Sequence, residues 1–224
     1  MVTLRRFIPG HDDPDDMWVL PEIPAPKPHP ARPEPTLIDR IMPRHDVGGV
    51  TKVTIDASPQ IVFEALRNVT LDEIRGIPLL ARLGHRPGGV PGEGNASART
   101  FLQATNALPL GETPDRECVI GYVGTLHDLR DRRLVDLPDL FTFMRFNDPG
   151  YEKLAISFQA TSLPDGRTRI LVDHRTLALG PSTRRKLTLA WYSLASWYGR
   201  LVLQQLLAAT KRRAESAPHR TQES

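Results

Sequence analysis

The chain has 224 residues, of which 40% are hydrophobic and 25% charged, a composition typical of a globular domain. The net charge is +3 and there is one cysteine, Cys118, which excludes an internal disulfide framework and a thiolate metal cluster. The N-terminal residues, MVTLRRFIPGHDDPDD, lack the apolar core of a secretory signal peptide, so we expect a cytoplasmic protein.

Residues 1–35 are predicted to form a flexible arm, because they contain the proline-dense run PEIPAPKPHPARPEP. Proline fixes φ and removes an amide donor, so the run favours an extended polyproline II conformation over a helix or sheet. We expect an ordered domain over 36–214 and a flexible polar tail over 215–224.

The domain is predicted to begin with a strand that turns abruptly into a helix. Residues 48–57, GGVTKVTIDA, alternate as a strand does. Ser58 is a good N-cap and Pro59 a good first helical residue, and the apolar positions that follow have helical spacing. Thr70 and Glu73 then form a capping box that opens a second short helix, which Gly76 and Pro78 shorten or break.

The middle of the chain is predicted to be a loop followed by antiparallel strands. The loop, 84–97, is rich in glycine and proline. Alternation of apolar residues then predicts strands, and LPDG between the last two is a hairpin signal. These strands cover 99–106, 116–126, 140–147, 151–162 and 167–179.

Residues 181–214 are predicted to form one long helix lying across the sheet. Its main apolar stripe is expected to consist of Leu187, Trp191, Leu194, Tyr198, Leu201, Val202 and Leu206. Leu189, Leu203 and Leu207 lie off that stripe, which indicates a well-buried helix or contact with a membrane or partner. Arg200 and several polar residues argue against a membrane-spanning helix.

This order of elements resembles the START-like superfamily, also called SRPBCC or helix-grip proteins. The corner IDASPQIVFEAL (55–66), the strand VIGYVG (119–124) and the final strand followed by a helix carry the resemblance, which spans about 45–214. Within the superfamily, the chain looks most like bacterial proteins labelled polyketide cyclase/dehydrase and lipid transport. The resemblance implies an α+β fold in which a curved antiparallel sheet wraps the C-terminal helix around a cavity.

The strand 167–179 contains the main candidates for chemistry. Its alternation puts Ile170, Val172, His174 and Thr176 on one face and Leu171, Asp173, Arg175 and Leu177 on the other. The first set is the more apolar, so we expect it to face the long helix. His174 is then a candidate base, with Arg175 or Tyr122 stabilising negative charge if they face inward. In the competing assignment, the Asp173–Arg175 pair faces the cavity and orients a polar ligand group.

We expect the chain to bind an apolar or amphipathic small molecule, lipid-like or polyketide-like, between sheet and helix. The candidate ligand-binding residues are Tyr122, Arg145, Phe143, Phe158, Val172, Trp191, Leu194 and Tyr198. An enzyme of the cyclase or dehydratase type is the alternative, although only one grouping of polar residues supports catalysis. The histidines are scattered and no metal-binding motif is present, so we expect no metal and no cofactor.

The stretch from His174 to Ala214 contains no acidic residue and is markedly basic. Arg184, Arg185 and Lys186 fall in the first turn of the long helix, where cations oppose the helix dipole. Solvation, a phospholipid headgroup, nucleic acid or the acidic run Asp12–Asp16 are the alternatives that would balance them. Aromatic residues do not interleave with these cations, so we expect no nucleic-acid binding. A third hypothesis is therefore a protein-interaction module formed by the arm and the basic helix.

Overall fold

The structure, a computed structural model, describes residues 27–28, 35–74, 100–105, 107–127, 133–191 and 194–216. It is an α+β fold in which an antiparallel sheet is followed by a helical C-terminus, as the sequence predicts. The single helix expected over 181–214 is described as two helices, Pro181–Trp191 and Leu194–Ser216. In chain order, the strands are β1 Lys27–Pro28, β2 Arg44–His45, β3 Val47–Ile55, β4 Leu108–Thr113, β5 Glu117–Gly124, β6 Leu134–Val135, β7 Glu152–Ser162 and β8 Thr168–Ala178.

The helices, also in chain order, are α1 Leu37–Ile41, α2 Pro59–Asn68, α3 Phe101–Ala104, α4 Leu140–Arg145, α5 Pro181–Trp191 and α6 Leu194–Ser216, with a 3-10 turn at Leu71–Glu73. The main sheet has the strand order β3-β8-β7-β5-β4, and the short β6 also pairs with β5. All of its pairings are antiparallel. The strand β1, which lies within the predicted arm, pairs with β2.

The strand-to-helix corner forms as predicted. Ser58 has an extended backbone and Pro59 opens α2, which buries Val62, Phe63 and Leu66. Ser58 itself makes no capping hydrogen bond. The capping box at Thr70 and Glu73 is present, with the Thr70 amide 2.8 Å from a Glu73 carboxylate oxygen. The rest of the predicted second helix, from residue 75, and the loop 84–97 lie outside the described residues.

One side of the sheet, here called the inner face, packs against α2 and α6. It carries Ile120, Ile156, Phe158, Ile170 and Val172, which share a core with Leu203, Leu206 and Leu207 of α6. Leu203 and Leu207 are therefore buried in the main apolar stripe, contrary to the sequence prediction, whereas Leu189 is exposed. The predicted stripe included the aromatic residues Trp191 and Tyr198, whose side chains are not among those the structure describes.

The opposite side of the sheet, here called the outer face, is also covered. Val119, Val123 and Ala155 form a second core there with residues of α1 and α4. Two predicted strands are helices instead: 99–106 contains α3 and 140–147 contains α4. In each case a side chain caps the helix, because Thr100 accepts a hydrogen bond from the Gln103 amide and Asp139 from the Thr142 amide. The edge strand β4, at 108–113, was not predicted.

Candidate functional site

The inner face changes from apolar to polar along the strands. At one end, Val172 and Phe158 face α6 as predicted. Further along β8, alternation places His174 and Thr176 on the same face, opposite Ile156 and Leu154 of β7. All four are buried or half-buried. The result is a continuous surface whose polar part begins at His174.

His174 is 7% exposed and lies against β3, where it pairs with Gly49. A Cβ on Gly49 would lie 2.9 Å from the His174 Cε1 atom, so the missing side chain makes room for the ring. Burial lowers the pKa of His174, and positive charge at Arg200 of α6 and at His45 acts in the same direction. Asp173 and the hydrogen bond with the Gly49 backbone oppose this change in pKa. The balance favours a neutral imidazole, which is the form that accepts a proton.

Tyr122 of β5 lies on the inner face, where it packs against the main core. Its hydroxyl donates to the Thr105 hydroxyl over 2.8 Å, and that group donates to the Phe101 carbonyl over the same distance. The sequence left the facing of Tyr122 open. The structure brings it onto the same face as His174 and anchors it to α3.

A histidine–glutamate pair lies at the polar end of the inner face. The Glu152 side chain is fully buried, and its carboxylate accepts hydrogen bonds from the backbone amides of Leu126 and His127. The same carboxylate contacts Nδ1 of the His127 ring, whose side chain is 15% exposed. Sequence reasoning missed this pair. The signal was the alternation of β7, which puts Glu152 in line with Leu154, Ile156 and Phe158 on an apolar face.

Asp173 and Arg175 lie on the outer face, away from His174. The Arg175 guanidinium is 2.8 Å from the Asp173 carboxylate and 2.6 Å from that of Asp39, and it also donates to the Met42 carbonyl over 2.9 Å. The three predicted catalytic residues are therefore divided between two faces and do not converge. Both residues of this pair are buried beneath α1.

Five other candidates need separate comment. Phe143 and Arg145 belong to α4 on the outer face, so their predicted position on a strand beside the long helix is wrong. Phe143 is buried, and Arg145 lies over the exposed ring of Phe141. The side chains of Trp191, Leu194 and Tyr198 lie outside the described residues.

A cleft of about 200 Å³ lies at the edge of the sheet. It is lined by β4, β5, the segment 134–137 and Phe143 of α4. Two of the predicted ligand-binding residues, Tyr122 and Phe143, line this cleft. The predicted cavity between sheet and long helix stays a prediction.

Cys118 and several basic residues of the C-terminal helices have structural roles. Burial raises the pKa of the Cys118 thiol to about 12, which suits a core residue and not a nucleophile. Arg184 is held by the buried carboxylate of Asp46, with 2.7 Å between Nε and Oδ1. Lys211 and Arg213 pair with Glu215 and Glu73, respectively. Three basic residues of the C-terminal helices are therefore paired with carboxylates of this chain.

Within the described residues, no group of three or more potential ligands is arranged to hold a metal ion. No helix in that part of the chain combines the length and hydropathy needed to cross a membrane.

No protein-family model and no curated protein sequence matches the chain. Among solved structures, it is similar to the Zhui aromatase/cyclase from Streptomyces sp. R1128, with 14% identity, 77% of this chain and 98% of that chain covered, and a TM-score of 0.31. It is also similar to CalC, a self-sacrificing resistance protein from Micromonospora echinospora, at 14% identity, 75% and 94% coverage and a TM-score of 0.34. A hypothetical protein from Helicobacter pylori has 10% identity, 76% and 89% coverage and a TM-score of 0.38.

Proposed function

We propose that the chain binds an apolar or amphipathic small molecule on the inner face, between the sheet and the C-terminal helices. The observation that carries this proposal is the gradient along that face. Beyond the closed core around Ile170, Val172 and Phe158, the half-buried Leu154 and Tyr122 offer apolar surface. His174, Thr176 and the Tyr122 hydroxyl then supply a few polar groups. Small-molecule sites combine largely apolar walls with a small number of placed polar side chains.

The packing of the inner face supports this location of the ligand. At the apolar end, α2 and the second half of α6 close the core with fully buried residues such as Val62 and Leu206. Toward the polar end, Leu154 and Tyr122 are only half-buried. The apolar part of a ligand would extend over these half-buried side chains, with its polar group toward His174 and Thr176.

The interaction-module hypothesis has less support. It relied on uncompensated basic charge, whereas Arg184, Lys211 and Arg213 all bind carboxylates of this chain. An enzymatic role through His174, Asp173 and Arg175 together is also weakened, because Asp173 and Arg175 are on the outer face.

A pair of matched variants tests the binding surface. Leu154→Trp places a bulky ring on the inner face beside Thr176, and Leu177→Trp makes the same change on the outer face of the neighbouring strand. Titration with an apolar fluorescent probe should give about one bound molecule per wild-type chain. We expect Leu154→Trp to bind the probe at least roughly tenfold more weakly than wild type. The added ring would cover apolar surface that the probe contacts, and losing the contact of one side chain costs about 1–3 kcal/mol. Leu177→Trp should bind as wild type does.

Thermal unfolding of both variants would confirm that they fold. If Leu154→Trp is folded and binds the probe as well as Leu177→Trp does, the ligand does not lie on the inner face.

A further inference from the structure

We propose that His127 and Glu152 form a proton-accepting dyad that receives the acidic hydroxyl of an amphipathic ligand, such as a phenol or an enol. This inference rests on the proposed binding function and gives the chemical class of the ligand's polar group. It adds a site that the sequence motifs did not indicate.

The position of Glu152 is the first step in the argument. The carboxylate lies on the inner face, two residues along β7 from Leu154, which pairs with Thr176. Two residues span about 7 Å along a strand. Its neighbours across the sheet are Gly124 and Ala178, which have the smallest side chains. A Cβ at Gly124 would clash with the Arg133 carbonyl, so this glycine makes room for the backbone of residue 133. The turn after β5 brings the His127 ring to the carboxylate.

The hydrogen bonds of Glu152 fix the ring. One oxygen accepts from the backbone amides of Leu126 and His127, the second of which is 3.3 Å away. The other oxygen contacts Nδ1 of His127. A carboxylate can only accept a hydrogen bond, so Nδ1 is the protonated nitrogen of the neutral ring and Nε2 carries the lone pair. The dyad therefore presents one oriented base.

The exposure of the two groups assigns their roles. Glu152 is fully buried and its partners are all protein groups, so it positions and does not react. His127 keeps 15% of its side chain exposed, so a ligand can reach the ring. A phenol or enol hydroxyl is much more acidic than an aliphatic alcohol, so it is the better proton donor to a ring nitrogen.

The proton transfer is balanced without another reactant. The ligand's O–H bond breaks and a bond from Nε2 to hydrogen forms, while the electron pair stays on the ligand oxygen. The resulting imidazolium is stabilised by the adjacent carboxylate of Glu152. Release of the ligand reverses both changes.

4-Nitrophenol and nitrobenzene form a matched pair of probes for this site. The first carries the acidic hydroxyl and absorbs visible light only as its anion, and the second lacks the hydroxyl. At a pH about one unit below the probe's own pKa, wild-type protein should raise the phenolate band as 4-nitrophenol is added. His127→Gln should abolish the band and weaken 4-nitrophenol binding roughly 10- to 100-fold, with little change for nitrobenzene.

Glu152→Gln should also weaken 4-nitrophenol binding, as His127→Gln does. Its control is Glu117→Gln, which removes a buried carboxylate from the outer face of β5 and should retain the phenolate band. If Glu152→Gln does not fold, long-range 1H–15N spectra of wild-type His127 still decide the tautomer. We expect a proton on Nδ1 and none on Nε2.

Three results would overturn the dyad. One is a phenolate band that persists in folded His127→Gln, and another is a proton on Nε2 of wild-type His127 in the neutral ring. The third is equal binding of both probes with 4-nitrophenol un-ionised, which removes the dyad and leaves the binding surface standing. If neither probe binds the wild-type protein, the dyad and the proposed function both fall.

Discussion

Arg175 has the largest side chain that is fully buried in the described part of the chain. Burying a guanidinium is costly unless its charge and donors are satisfied, and here two carboxylates and a backbone carbonyl do so. Burial by itself raises the pKa of Asp39, but hydrogen bonds from Arg175 and Thr36 outweigh it and hold that pKa at about 2. This network is structural, and its removal should be felt as lost stability.

We therefore expect Arg175→Met to lower the free energy of unfolding by about 3–5 kcal/mol, because Asp173 would keep an uncompensated charge in a buried position and Asp39 in a half-buried one. Urea denaturation measures the change. The matched control is Arg169→Met, on the same strand and the same face but exposed, which should change stability by less than about 0.5 kcal/mol. Equal effects of the two substitutions would contradict the buried network.

A second prediction at this scale concerns His174 and pH. Because burial lowers its pKa in the folded state, the unfolded chain binds a proton first as the pH falls below about 6.5. The contribution of His174 is thus fully present above that pH and is lost on acidification, with a slope of at most about 1.4 kcal/mol per pH unit. Asp173, Arg200, His45 and the Gly49 backbone are the groups that set the balance.

The measurement is the free energy of unfolding from pH 8 to pH 5 for wild type and His174→Gln. Wild type should lose more stability than the variant over the lower half of this range. Parallel curves would show that His174 has the same pKa in the folded and unfolded states.

At the scale of elements, α1 is held across the outer face by charges at both of its ends. The Glu117 carboxylate accepts from the Leu37 amide over 2.8 Å, at the helix N-terminus. Arg175 donates to the Met42 carbonyl just past the C-terminus. Both charges have the sign that complements the helix dipole, and five residues would not form a stable helix alone. The sheet therefore provides the stability that this helix lacks.

Glu117→Gln should accordingly destabilise the protein by about 1–3 kcal/mol, since the helix amides and the Ser157 hydroxyl lose a charged acceptor. Hydrogen exchange of the Leu37–Ile41 amides should accelerate more than exchange in β7. Glu112→Gln is the control, because Glu112 forms only an exposed pair with Arg67. Such a pair contributes roughly 0–1 kcal/mol. Unchanged exchange in α1 would mean that Glu117 does not hold the helix.

For the whole molecule, the open question from the sequence is where the folded domain begins. The proline-dense arm offers little apolar surface to bury, so brief proteolysis should leave a resistant fragment that starts near Thr36. Deleting residues 1–26 should cost less than about 1–2 kcal/mol. Deleting residues 1–46 also removes α1 and its charged contacts, and it should cost much more. Similar stability of the two truncated proteins would contradict this boundary.

The sequence was sufficient where local chemistry and burial agree. The corner at Ser58–Pro59, the strands β3, β5, β7 and β8 and the helical C-terminus all follow from capping residues and apolar periodicity. The sequence-based prediction failed where a polar residue that can cap a helix precedes residues that alternate as a strand does. Thr100 and Asp139 begin helices in segments that we predicted as strands, because their capping bonds were not weighed.

The sequence also indicated which side of β8 meets the long helix, since Ile170 and Val172 are more apolar than Leu171 and Asp173. It could not show that the other side is buried as well. An exposed and a buried Asp–Arg pair have the same spacing along a strand, and only the partner distinguishes them. That partner is Asp39, which is 136 residues away from Arg175 in the chain.

The same reason applies to the candidate dyad. Alternation along β7 was enough to place Glu152 on an apolar face, but the contact with His127 depends on the pairing of β5 with β7, which brings the end of β5 beside Glu152. Local patterns thus determined the order of the elements and the apolar side of each strand. Tertiary structure decided which charges meet, because a buried charge is stable only beside groups that distant parts of the chain supply.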